Sequence, residues 1–229
     1  MTTDSREVRA ISGRECLIYS CGSSERLLIQ PVDDHDIKVL DNQVSEIRRL
    51  TDGIGFTLAA FRVNDWNDDL SPWEAPSVFG DQGFGGKADS TLVYIRDFVV
   101  PELTGGRDTK IYIGGYSLAG FFALWAAYQT DMFSGVVAAS PSVWFPGWID
   151  YAEGNNIKAE KVYLSLGDKE EKTRNPVMKM VGNNIRRQIE LLEGYPHCID
   201  CVLEMNRGNH FKEPDLRTAK GFAWLIGVK

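Results

Sequence analysis

Gly114–Gly120 reads GGYSLAG, one serine among small residues, set between the apolar run KIYI and the helix-like string LAGFFALWAAYQ. A serine hydroxyl is a weak nucleophile at neutral pH until a base takes its proton and a carboxylate orients that base. The spacing suits a strand–turn–helix that holds Ser117 exposed at the end of a strand, on strained backbone. The residues two before and two after must be small, because strand and helix pass close together there. Gly115 and Ala119 occupy those places, with alanine where the commonest motif has glycine. A serine in this position can equally cap a helix, so its chemistry depends on partners elsewhere in the chain.

The base must come from His35, His197 or His210. His35 precedes the serine at the start of a helical pattern, and His197 lies between a helix and a strand. His210 sits in MNRGNHFKEPD, straight after the last predicted strand. That is the histidine's place where the chain order is serine, acid, histidine, as in α/β-hydrolases. The acid should follow the strand VYLSLG, which leads into Asp168, Glu170 and Glu171. Glu170 has the reach and is preferred; Glu171 is second, and Asp168 is held close to the strand. An oxyanion hole needs two backbone N–H groups. Leu118, just past the serine, offers one. The loop PVDDHD offers the other, from Val32 or, failing that, Asp33. That loop lacks the glycine-rich HGGG pattern. Its acidity is unusual beside a developing negative charge and also suits a cap for the next helix or recognition of a cationic or polyhydroxy substrate.

Apolar runs and helical periodicity alternate along the chain and supply the scaffold. Strands are predicted over 15–21, 27–32, 56–63, 110–113, 135–139, 162–166 and 201–204. Helices are predicted over 37–50, capped by Asp36, over 91–103, capped by Ser90 or Asp89, and over 118–129, 176–192 and 215–226. Short continuous apolar strands alternating with helices imply a mostly parallel sheet covered on both faces. The first two strands read as a hairpin-like pair that adds antiparallel edge strands. No GxGxxG follows the first strand, which excludes a Rossmann reading. GFGGK, at Gly83–Lys87, lacks P-loop spacing.

The chain has 229 residues, enough for one sizeable domain, and a net charge of −7. That balance opposes nucleic acid or an anionic membrane as partner. No apolar stretch reaches a membrane span, and the first twenty residues lack the apolar core of a secretory signal. The cysteines are Cys16, Cys21, Cys198 and Cys201. The CxxC spacing of the last two, beside His197, has no second ligand pair for zinc. Reduced cysteines in a cytoplasmic protein are the expectation.

Four segments resemble the α/β-hydrolase esterase family that includes esterase D-like, feruloyl-esterase-like and siderophore-esterase-like enzymes. They are GGYSLAGFFALWAA, AASPSVWF, VYLSLGDKEEKT and GNHFKEPDLRTAKGFAWL, in that order over the second half of the chain. The resemblance implies one α/β-hydrolase domain over residues 1–229, a mostly parallel sheet with helices on both faces, and no large lid. It implies a serine hydrolase that cleaves small-molecule carboxylic esters through an acyl-enzyme, with Ser117 as nucleophile, His210 as base, and no metal or organic cofactor. Members vary around the acid, so the choice among the three carboxylates stays open, with Glu170 preferred. Some relatives hydrolyse thioesters or transfer the acyl group, and a non-catalytic binding protein would share the fold. The last alternative requires that Ser117, His210 and a carboxylate do not meet. Trp144, Phe145 and Trp148 are expected to wall one side of the substrate pocket, and Trp66 and Trp73 the other. Oligomeric state is left open.

Overall fold

The computed structural model describes residues 4–23, 25–195 and 200–227. The strands are β1 (Ser5–Ile11), β2 (Arg14–Cys21), β3 (Arg26–Val32), β4 (Phe56–Arg62), β5 (Glu74–Ala75), β6 (Phe84–Gly85), β7 (Lys110–Tyr116), β8 (Gly135–Ala139), β9 (Lys161–Gly167) and β10 (Asp200–Asn206). Eight of them form one sheet in the order β1-β2-β4-β3-β7-β8-β9-β10, and β5 and β6 pair separately. β2 runs antiparallel to both β1 and β4, whereas every pairing from β4 across to β10 is parallel. The central strands are buried on both faces, as their unbroken apolar runs require.

The helices are α1 (Asp34–Leu50), α2 (Trp66–Leu70), α3 (Ala88–Tyr94), α4 (Val100–Thr104), α5 (Leu118–Gln129), α6 (Trp148–Gly154), α7 (Val181–Glu193) and α8 (Pro214–Ile226). α1 and α8 share one core with Tyr112, Val137 and Tyr163 on one face of the sheet. α3, α5 and α7 join the core on the other face. α5 carries apolar residues all round because it is enclosed by protein on almost every side. Phe121 and Phe122 alone each contribute roughly 1.5–3 kcal/mol by burial.

Several elements differ from the sequence reading, each for a local reason. β3 does not pair with β2; it enters the sheet between β4 and β7, and the hairpin is β1–β2. β1 escapes a periodicity search because most of its residues are exposed along the sheet edge. α1 begins three residues earlier than expected. Its cap is Asp33, whose carboxylate accepts the N–H groups of His35 and Asp36, while Asp36 returns a bond to the Asp33 N–H. The helix expected over 91–103 starts at Ala88 and continues to Thr104 as α3 and α4, joined by a π-helical turn at Ile95–Val99. α7 starts at Val181, later than expected, after a short 3₁₀ turn. Trp148, expected to wall the pocket, is the first residue of a helix, α6.

Candidate active site

β7 extends beyond its apolar run to Tyr116 and delivers Ser117 to the carboxyl edge of the sheet. Ser117 has φ 57° and ψ −121°, a region that costs a non-glycine residue roughly 1–3 kcal/mol. The turn is possible because its flanks are small. A Cβ on Gly115 would lie 2.6 Å from the Ala119 Cβ and 2.8 Å from its backbone carbon. The reversal points the Ser117 hydroxyl away from a capping role: it makes no side-chain bond to α5. Its partner is the His210 ring, with Oγ 3.0 Å from Nε2. A second hydroxyl, Ser142 Oγ, stands 3.5 Å from Ser117 Oγ.

His210 is carried by the loop between β10 and α8. Its Nδ1 lies 2.8 Å from Glu170 Oε2, so the ring bridges serine and carboxylate. Glu170 follows β9 by three residues and is 8 % exposed. Its other oxygen, Oε1, accepts from Ser140 Oγ at 2.8 Å, the Gly167 N–H at 2.7 Å and Arg217 Nη1 at 2.9 Å. Burial pushes the Glu170 carboxyl up, but the bonds from His210, Ser140 and Gly167 outweigh it and hold the group below its ordinary range. The carboxylate is therefore ionised at neutral pH.

The two loops meet through Gly167 and Asp168. A Cβ at Gly167 would sit 2.4 Å from the Gly208 carbonyl, so only glycine lets the histidine loop approach. Asp168 Oδ1 accepts the Gly208 N–H at 2.8 Å and does not touch the histidine ring. Glu171 turns away to Arg186, 2.8 Å distant. Of the three candidate carboxylates, Glu170 alone reaches His210. Tyr116 donates its hydroxyl to the His210 carbonyl at 2.7 Å, and burial pushes that hydroxyl up to about 12, which keeps it a donor.

Leu118 is the first residue of α5, so its N–H has no acceptor within the helix and opens beside Ser117. Val32 is fully buried at the end of β3, and its carbonyl accepts the Val63 N–H. The fallback donor, Asp33, has its N–H engaged by the Asp36 carboxylate at 3.2 Å. The acidic loop is thus a helix cap. Asp36 is pushed up to about 7 by burial and by its neighbour Asp33.

A cleft of about 290 Å³ opens beside His210, lined by Pro141, Trp144, Met178, Val181 and Phe211 with Lys169 and Lys172. Phe211 is 86 % exposed at its mouth. Of the five aromatic residues expected to wall the pocket, Trp144 lines this cleft. Phe145 lies in the core beneath, packed on Phe121, Phe84 and Trp73. Trp66 borders a separate depression with Asp33 and Arg62. Trp148 is buried against Phe121 and Tyr128, and Trp73 bonds to the Pro146 carbonyl. These side chains are drawn inward by neighbours that a linear pattern cannot place. His35 is exposed on α1 and does not line the cleft. His197 and Cys198 lie outside the described residues; Cys16 and Cys21 are buried free thiols. Among the described residues, no group of histidines, cysteines and carboxylates could hold a metal ion.

Arg217, which the sequence reading passed over, is 2 % exposed behind Glu170. Besides Glu170 it donates to Tyr116 Oη and Ser140 Oγ, each at 3.0 Å, and through Nη2 to the Asn209 carbonyl at 3.0 Å. Its position seven residues after His210, at a buried place in an amphipathic helix, is the available sequence clue.

Compared with protein-family models and with curated proteins, the chain matches none. Solved structures do match. An IroE-like serine hydrolase from Shewanella oneidensis superposes with a TM-score of 0.79 at 14 % identity, over 96 % of this chain and 79 % of that one. The siderophore hydrolase EstA from Aspergillus nidulans gives 0.74 at 18 %, over 97 % and 93 %. A ferulic acid esterase gives 0.65 at 12 %, over 97 % of each chain. The chain has the α/β-hydrolase fold. At these identities the likeness is one of fold. Within the α/β-hydrolase fold, the turn after β7, the turn after β9 and the loop after β10 open on the same carboxyl edge. Ser117, Glu170 and His210 lie on them.

Proposed function

We propose that the protein is a serine hydrolase that cleaves carboxylic esters through an acyl-enzyme. The observation that carries this reading is the continuous chain from Ser117 Oγ to His210 Nε2 at 3.0 Å and from His210 Nδ1 to Glu170 Oε2 at 2.8 Å. Its serine stands at the start of α5 but its hydroxyl makes no capping bond to the helix. The fold is shared with structures described as esterases and serine hydrolases, which supports the same reading.

In this mechanism Ser117 Oγ attacks the ester carbonyl carbon while His210 Nε2 takes its proton. Glu170 holds Nδ1–H, fixes the tautomer and stabilises the imidazolium. The negative oxygen of the tetrahedral intermediate is held by the Leu118 N–H and the Val32 N–H. Collapse expels the alkoxide, which receives the proton from His210. Water then repeats the sequence on the acyl-enzyme and frees the acid. Trp144, Met178 and Val181 give the cleft an apolar interior for the body of the substrate.

The test is a panel of p-nitrophenyl esters, acyl-CoA thioesters and alcohol acceptors, run on wild type and Ser117→Ala. Intact mass after treatment with an organophosphate accompanies the panel. Ester turnover lost in Ser117→Ala, with one phosphonyl group on the wild type alone, is expected. Folded wild-type protein that takes no label and cleaves no ester overturns the reading.

A further inference from the structure

Arginine beside the acid of such a triad is physically unexpected. A buried ion pair is weak evidence for stability, because desolvation offsets the attraction. Here the burial is also incomplete in its compensation, since the Arg217 Nε is buried with no hydrogen-bond partner. What the guanidinium does have is an unusual set of acceptors. Nη1 reaches Glu170 Oε1, Ser140 Oγ and Tyr116 Oη, and Nη2 reaches the Asn209 carbonyl. One planar fork therefore touches the turn after β9, the loop after β8, the last residue of β7 and the histidine loop. Tyr116 passes the connection on by donating to the His210 carbonyl. All the groups bound are fixed at one end, and the cation is fixed by α8.

We propose that Arg217 is the positioning residue of this site: its guanidinium locks Glu170 with Oε2 turned to His210 and binds the histidine loop to the acid's turn. The proposal rests on the serine-hydrolase reading but concerns a residue that touches no reacting atom. The fork geometry is essential to it. Oε1 is saturated by three donors, which leaves Oε2 alone for the ring. Arginine also adds a positive charge behind the acid. Arg217 thus sets the orientation of the acid. A lysine would keep the charge and lose the fork.

The experiment compares wild type, Arg217→Met and Arg217→Lys by circular dichroism and by kcat and KM on a neutral p-nitrophenyl ester across pH. The low-field proton NMR resonance of the His210 Nδ1–H is recorded for each. In Arg217→Met, kcat is expected to fall about a hundredfold with KM little changed, the loss typical of a misplaced catalytic group. The low-field resonance shifts or is lost. Arg217→Lys, which keeps the charge without the fork, recovers part of kcat. A folded Arg217→Met protein with wild-type kcat and resonance overturns the proposal. If neither Arg217 variant folds, Tyr116→Phe, which removes only the relay oxygen, should lower kcat several-fold. Wild-type kcat in that variant overturns the proposal too. The resonance reports the Glu170–His210 bond whether or not any ester is cleaved. A protein inert to esters and organophosphate, yet sensitive to Arg217 in this signal, refutes the hydrolase reading and leaves the positioning role standing.

Discussion

At the scale of single residues, the carboxylates after β9 divide by what they touch. Glu170 meets the ring, Asp168 the Gly208 N–H and Glu171 the Arg186 side chain. Glu170→Gln should lower kcat/KM about a thousandfold or more, as loss of the orienting charge does in related triads. Glu171→Gln should stay within about twofold on the same assay. Glu170→Gln should also cost about 3 kcal/mol in urea denaturation at pH 7, because Arg217 loses its buried counter-charge. The folded carboxyl is held below its ordinary value. Its stabilising contribution is therefore complete above the unfolded pKa, about 4.5, and is lost as pH falls through the lower folded value. The difference in stability between wild type and Glu170→Gln should accordingly shrink in acid; a constant difference would contradict the argument. The serine, the histidine and the preferred acid were legible because each has a reactive side chain at a strand end. Arg217 was not, since its part is to hold other groups and its sequence neighbourhood looks like any amphipathic helix.

Among the elements, Gly167 is where two connections must nearly touch. Gly167→Ala brings a Cβ to 2.4 Å from the Gly208 carbonyl and 2.9 Å from Glu170 Oε1. The histidine loop must retreat, and kcat should fall about tenfold to a hundredfold while circular dichroism is preserved. Unchanged kcat would mean the loop yields without moving the ring. The alternation of strands and helices was readable because central parallel strands are continuous apolar runs. β1 was not, because an edge strand exposed along most of its length has no apolar face to betray it. The start of α1 was misplaced because three aspartates, Asp33, Asp34 and Asp36, compete for one cap, and only the reciprocal bonds between Asp33 and Asp36 decide it. The aromatic walls were half legible: tryptophan and phenylalanine in a long loop mark a cluster, but which ring faces the cleft depends on α6 and the core beneath it.

For the whole molecule, Asp36 links the cap of α1 to the pH dependence of folding. Its folded pKa is raised to about 7 from an ordinary value near 4. The folded chain therefore binds a proton that the unfolded chain releases between those values, and the stability so gained is full below pH 4 and lost as pH rises through 7. Asp36→Asn keeps an acceptor for the Asp33 N–H without the charge. It should raise Tm by about 3 °C at pH 8 and leave it unchanged at pH 4; an equal gain at both pH values would count against the assignment. The wide separation in sequence of groups that meet in space has a temporal meaning as well. His210 lies 93 residues beyond Ser117, and Arg217 lies 101 beyond Tyr116. At ordinary translation speeds the ribosome exposes the serine turn roughly 5–20 seconds before its base. On the proposed serine-hydrolase reading, the nascent chain therefore carries an unarmed hydroxyl until His210 and α8 have emerged.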